Sequence, residues 1–258
     1  VTPARDVSGP ADTPILSLDG IGKTYGAVRA LSGVSFDVRA GETLAICGDN
    51  GAGKSTLIRI VSGAQPPSEG TIRLAGEPVT FASPADALSQ GVATIYQDLA
   101  LAPTMTIAQN VFLGSELTTR VMGVPLLAKR RMRREAAEHL SRLRLAVPDM
   151  NRHVSDLSGG QRQAVAIARA LRWQARIVIM DEPTAALGVR ETRLVLNLIK
   201  EIASQGITVI LISHNMADVI EVAERAVILK GGRKVRDTAL AGWTADDLSH
   251  VIMGHEAA

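Results

Sequence analysis

Three stretches of this sequence carry residue types and spacings suited to chemistry. The first, Gly48-Asp49-Asn50-Gly51-Ala52-Gly53-Lys54-Ser55-Thr56, follows the apolar run Thr43–Cys47 and opens a helical stretch. Glycines let backbone N–H groups fold around phosphate oxygens, and a helix N-terminus adds a favourable dipole. In such a loop Lys54 reaches the β- and γ-phosphates of a nucleotide, and the Ser55 hydroxyl binds Mg²⁺. The second stretch, Ile177-Val178-Ile179-Met180-Asp181-Glu182, is an apolar run ending in two carboxylates. A buried strand with that ending sets Asp181 at its carboxyl end, where Mg²⁺ coordination is expected. Glu182 then stands beside the γ-phosphate, able to orient and deprotonate water. Alone, two acids after a strand also read as a solvated loop; behind a phosphate loop they read as a metal ligand and a base. The third stretch is Leu157-Ser158-Gly159-Gly160-Gln161, ahead of a helical run through Leu171. Ser158 suits a helix cap, and Gly159 and Gly160 allow close backbone approach to an anion. An N-cap with no ligand is the plainer reading of the same residues.

Alternating strands and helices must position these stretches. Strands are predicted at Val34–Val38, Thr43–Cys47, Thr71–Leu74, Val92–Tyr96, Ile177–Met180 and Ile207–Ile212. Ala226–Leu229 and Lys234–Asp237 pair across the turn at Gly231-Gly232. Helices are predicted at Lys54–Val61, Pro84–Gln90, Val189–Ser204 and Met216–Ala223. From about Leu99 to Arg172 the pattern is mostly helical, with a loop around Gly114–Pro125. Its clearest helix is Lys129–Leu145, where Met132, Ala136, Leu140 and Leu143 recur at helical steps. The alternation implies an α/β fold: a largely parallel sheet covered on both faces, with the middle helical block inserted. The basic run Lys129-Arg130-Arg131-Met132-Arg133-Arg134 invites a nucleic-acid or lipid-headgroup reading. Apolar positions at helical spacing, followed by Glu135 and Glu138, favour a solvated helix face.

Composition narrows the classes. The 258 residues, 46% hydrophobic and 21% charged, describe an ordinary globular chain rather than a disordered one. A net charge of +2 argues against a dedicated nucleic-acid binder. The single cysteine, Cys47, forms no internal disulfide, so the expected setting is a reducing compartment. Apolar runs are strand-length, far short of the ~20 residues that cross a bilayer. Residues 1–14 lack an apolar signal core and read as a disordered tail.

Together, the phosphate loop, Leu157–Gln161 and Asp181-Glu182, in that order and spacing, resemble the nucleotide-binding cassette of ABC transporters. The resemblance spans Ile15 to Gly254 and implies an ABC ATP-binding domain over residues 15–258. Its expected fold is a RecA-like, mostly parallel sheet core with an antiparallel β lead-in and a helical subdomain over about residues 99–172. The cofactors implied are ATP and Mg²⁺. By the same resemblance Tyr25 stacks on adenine, Gln97 contributes to catalysis and to the metal while joining the site to the membrane partner, and His214 contacts the γ-phosphate. Each of these three also has an ordinary reading, as packing, a polar loop residue and a strand-end histidine. In one place the pattern breaks: Gly188 follows Ala185-Ala186-Leu187 where the family usually has an aspartate that helps two cassettes sense each other.

In this family two cassettes pair head to tail, and each ATP lies between the phosphate loop of one and Ser158–Gln161 of the other. The expected partners are therefore a second copy of the chain, integral membrane permease subunits and, indirectly, a periplasmic or lipid-anchored sugar-binding protein, with no nucleic acid. The expected location is the cytoplasmic face of a bacterial membrane, with the chain as a peripheral subunit. Phe81-Ala82-Ser83-Pro84, Ile95-Tyr96-Gln97-Asp98-Leu99, Asn110-Val111-Phe112-Leu113-Gly114 and Asp181–Leu187 look like the monosaccharide-importer branch. A single cassette here resembles the fructose-type members and implies a homodimer. A nucleoside or amino-acid importer cassette, a soluble ABC ATPase acting on DNA or ribosomes, and a nucleotide sensor without turnover are the competing readings. Glu182 and His214 argue against the sensor.

Overall fold

In the computed structural model, residues 13–121, 124–144 and 149–253 are described. Apart from Thr13 and Pro14, the expected tail lies outside them. In chain order the elements are β1 (Leu16–Tyr25), β2 (Val28–Val38), β3 (Thr43–Cys47), α1 (Lys54–Val61), β4 (Glu69–Leu74), β5 (Glu77–Val79), α2 (Pro84–Ser89) and β6 (Val92–Ile95). Next come α3 (Ile107–Val111), β7 (Thr118–Val121), β8 (Val124–Leu127), α4 (Lys129–Arg142) and α5 (Gly159–Arg172). The chain then returns to alternation with β9 (Ile177–Asp181), α6 (Val189–Ser204), β10 (Thr208–Ile212), α7 (Met216–Val222), β11 (Arg225–Lys230), β12 (Arg233–Ala239) and α8 (Ala245–Met253).

The central sheet has the order β12-β11-β3-β10-β9-β6. Its pairings are parallel except for the β11–β12 hairpin. Because side chains alternate across a strand, each apolar run feeds two cores. Ala45, Cys47, Val178, Met180, Val209 and Leu211 face a layer formed by α3 to α8. Leu44, Ile46, Ile177, Ile179, Ile210 and Ile212 face α1 and the four-stranded antiparallel sheet β2-β1-β4-β5. The scarcity of aromatics is thus met by aliphatic packing, each fully buried Leu, Ile or Val contributing about 1.5–3 kcal/mol.

Three expectations are refined. β1 and β2, from Leu16, supply the expected antiparallel lead-in; the sequence pattern places no strand before Val34 because register shifts in this pair blur the alternation. The stretch expected as a loop around Gly114–Pro125 contains the antiparallel hairpin β7–β8, whose short strands carry β-branched Thr118, Thr119, Val121 and Val124. The helix expected to reach Leu145 ends at Arg142, and Leu145 lies outside the described residues; Met132, Ala136, Leu140 and Leu143 are all buried.

Candidate active site

Parallel pairing brings the carboxyl ends of β3, β6, β9 and β10 to one edge, where α/β sheets hold their ligands. Beyond β3 the backbone turns at Gly48 with φ 147°, and a Cβ there would lie 2.2 Å from the Leu229 carbonyl oxygen. Only glycine passes that point. Gly53, at φ 103°, is the N-cap of α1, which has neither a side-chain cap nor an acidic residue in its first turn. The positive end of this helix is therefore open to an anion. Lys54 Nζ folds back along the loop, donating to the carbonyls of Gly48 at 2.6 Å and Asp49 at 2.9 Å.

A cleft of about 340 Å³ gathers half of the site residues singled out in the sequence, His214 not among them. Asn50, Gly51, Gly53, Lys54, Ser55 and Thr56 line one side, and Gln97, Asp181 and Glu182 the other. Asp181 ends β9 opposite Ile212 of β10. Burial lifts its carboxyl above the usual aspartate range, and the charge of Glu182 adds to the effect, while Lys54 and Arg59 oppose it. Glu182 adopts a left-handed backbone conformation, φ 52°, uncommon for a side chain of its size. Its N–H donates to the Ile212 carbonyl at 2.9 Å and its carbonyl accepts from the Ala185 N–H at 3.1 Å, while its Oε2 meets Nδ1 of His214 at 2.6 Å and accepts from the His214 N–H at 3.4 Å. His214 is thus placed through Glu182, with its ring largely exposed. Under the loop, burial pushes the Cys47 thiol up to about 12, which marks it as packing rather than chemistry.

Tyr25 and Leu157–Gln161 lie outside this cleft. Tyr25, at the end of β1 and 43% exposed, donates its hydroxyl to Gln65 Oε1 at 2.6 Å; Gln65 in turn reaches the Thr56 carbonyl of α1. Ser158 caps α5 in a reciprocal box, its Oγ accepting from the Gln161 N–H at 3.4 Å and its own N–H donating to Gln161 Oε1 at 3.1 Å. Gly159 lines a second cavity of about 390 Å³ together with Ala185, Ala186, Leu187 and Gln97. Gln97 therefore borders both spaces. Sequence reasoning missed Gln65, which no motif marks, and Glu191. The Gly188-x-x-Glu191 spacing ahead of an apolar helix, a capping signal, points to Glu191.

The ABC transporter family pattern matches residues 31–185. The chain belongs to the ABC transporter family. It is an ATP-hydrolysing cassette of that family, with the α/β architecture described above. The fructose import ATP-binding protein FrcA of Rhizobium meliloti is 49% identical over 229 residues, covering 87% of this chain and 88% of that protein. The xylose/arabinose import ATP-binding protein XylG of Sulfolobus acidocaldarius is 47% identical over 219 residues, covering 85% and 86%. Of the ribose import ATP-binding protein RbsA 2 of Rhizobium etli, 40% identical, the chain spans 47% while 94% of itself is covered. Among solved structures, the ABC transporter cassette MJ1267 superposes with TM-score 0.79 at 26% identity, covering 93% of this chain and 96% of that one. The cassette MJ0796, solved as a dimer in a post-hydrolysis state with ADP and Pi, superposes with TM-score 0.72 at 28% identity, covering 88% and 100%. Among the described residues no helix is long and apolar enough to cross a membrane.

Proposed function

We propose that this chain energises uptake of a monosaccharide by hydrolysing ATP against a separate membrane permease. The observation that carries hydrolysis is Glu182, which lines the phosphate-loop cleft and bonds His214 at 2.6 Å. A carboxylate so placed takes the proton of an attacking water, and the histidine orients it. Gly48 to Thr56 cradle the phosphates with backbone N–H groups and the Lys54 ammonium, and Tyr25 receives the adenine. The relatives named for fructose and xylose/arabinose import support the substrate class.

The donor set suits Mg²⁺. Ser55 supplies a hydroxyl, Asp181 a carboxylate and Gln97 an amide around one cleft, and the described residues hold no cluster of His, Cys, Asp and Glu able to bind a metal alone. A hard cation that keeps waters and phosphate oxygens needs no more. When bound, it would neutralise charge on the phosphates.

Ser158, Gly159, Gly160 and Gln161 serve the nucleotide of a second copy, which makes the working unit a homodimer. Their position outside the cleft supports this, as does the dimeric MJ0796. Residues 99–172 act as the helical subdomain. The permease docks along Gln97 to Leu113, whose last residue borders a groove of about 430 Å³ together with Leu88, Tyr96 and Trp173. The chain then sits peripherally at the cytoplasmic membrane face, and a sugar-binding protein acts on it only through the permease.

Glu182→Gln tests the reading. The variant retains ATP binding but loses turnover and accumulates as an ATP-bound dimer in size-exclusion chromatography. Unchanged turnover removes Glu182 as the base.

A further inference from the structure

Helix α6 starts without a side chain to cap it, because its N-cap is Gly188. Glu191, in its first turn, instead offers an acceptor to the N–H of the N-cap itself, the second half of a capping box. Oε2 of Glu191 accepts from the Gly188 N–H at 3.1 Å, and Oε1 accepts from the Gly159 N–H at 3.2 Å. One carboxylate thus bridges the start of α6 and the start of α5. Both contacts are charge-assisted, and both place a negative charge at a helix N-terminus, where the dipole favours it.

The two glycines that open α5 fit this junction closely. A Cβ on Gly159 would lie 2.4 Å from Leu187 Cδ2, and one on Gly160 would lie 3.3 Å from the Glu191 carbonyl oxygen. Farther along, Gln163 Nε2 donates to the Pro183 carbonyl at 2.8 Å. The segment that leaves Glu182 is therefore fastened to α5 near both of its ends. Gln163 is buried and serves as the fixed point. Glu191 lies at the partly exposed end, next to Ser158.

We propose that Glu191 is a positioning residue that couples the two ATP sites of the dimer. The proposal rests on the composite-site reading above. In that reading Glu182 and the segment after it act on one nucleotide, while Ser158 and Gly159 act on the other. The Glu191 carboxylate ties these parts within one chain, so a displacement at one site is carried to the second. An aspartate at the Gly188 N-cap would accept from first-turn N–H groups of α6, bonds that Glu191 does not make; Glu191 holds the N-cap N–H, and α5 with it.

The test uses the full-length chain and reads steady-state ATPase against ATP concentration, single-site binding of a fluorescent ATP analogue, and thermal unfolding. The wild type should be cooperative, with a Hill coefficient of about 1.5–2, two sites setting the ceiling. Glu191→Ala should bring it to about 1 and lower saturated turnover about 10-fold, with single-site binding intact. Glu191→Gln keeps the shape but only one acceptor oxygen, and should fall between. Because loss of a cap alone destabilises α6, the double variant Gly188→Asp/Glu191→Ala separates the two roles. A Cβ at Gly188 has room, its nearest neighbour being Glu191 Oε2 at 3.5 Å. The double variant should regain the unfolding temperature and leave the Hill coefficient at about 1. Recovered cooperativity in that variant reduces Glu191 to a helix cap and overturns the proposal. So does an unchanged Hill coefficient in Glu191→Ala, or a non-cooperative wild type. If Ser158→Arg leaves hydrolysis intact, the composite-site reading itself fails, and the coupling with it.

Discussion

Two helices of this cassette begin in glycine-rich sequence, α1 after Gly48–Gly53 and α5 at Gly159-Gly160, and they use glycine for different reasons. Before α1 the glycines are conformational: Gly48, Gly51 and Gly53 all have positive φ, and no side chain caps the helix. At α5 neither glycine has a positive φ, and the missing Cβ atoms make room for Leu187 and α6. The Ser158–Gln161 box and Glu191 engage N–H groups of that second helix start within the chain itself. An open start is suited to an anion in its own cleft. A start already braced against its own chain is suited to act as a preformed surface, presented to a ligand held elsewhere.

The sharpest way to break this contrast is to disable each start in turn. Lys54→Ala should lower turnover about 100- to 1,000-fold, the scale for losing a charged donor to a developing phosphate charge, and should weaken single-site ATP binding as well. Ser158→Arg should abolish hydrolysis while single-site binding survives, since Ser158 lies outside the cleft that Lys54 lines. Paired measurements of turnover and analogue binding separate the two. Equal losses of binding in both variants would mean that the two starts share one site within a single chain.

A smaller effect separates conformation from packing. Gly159→Ala pushes a methyl against the end of the Leu187 side chain and should cost about 1–3 kcal/mol by overpacking. Combining it with Leu187→Ala should recover about 1 kcal/mol of coupling in a denaturant-melt cycle. The same device must fail at Gly53. Trimming Leu31, whose Cδ2 lies 2.6 Å from the would-be Cβ, leaves φ at 103° and the Ala30 carbonyl at 3.0 Å. Rescue of Gly53→Ala by Leu31→Ala would erase the distinction.

The same contrast explains what the sequence made legible. The phosphate loop, the β9 run into Asp181-Glu182 and the Ser158 cap were readable because local geometry demands those residue types at fixed spacing. The six-stranded sheet followed from apolar runs too short for helices and flanked by turns. Less visible was anything decided by distant partners. Nothing in the sequence around Gln65 announces that it joins Tyr25 to Thr56, 40 and 9 positions away. Glu191 reads locally as an α6 cap; its second contact, to Gly159 32 positions away, appears only once α5 and α6 pack together. The hairpin β7–β8 escaped because four-residue strands give almost no periodicity.

Tyr25 gives the mildest prediction and tests how far the open start extends. Its ring is 43% exposed, so removing it disturbs little of the core. Base–aromatic stacking is worth about 1–3 kcal/mol by alanine substitution, and an exposed ring belongs at the low end, so Tyr25→Ala should raise the KM for ATP about 5-fold. Turnover at saturating ATP should hold, because no contact joins Tyr25 to Glu182 or His214 among the described hydrogen bonds. Tyr25→Phe keeps the ring and deletes the 2.6 Å bond to Gln65. If stacking is what matters, its KM stays at the wild-type value. If instead the phenylalanine variant matches the alanine one, Tyr25 works through Gln65 by bracing the Thr56 turn of α1, and the adenine contact must be sought on another residue.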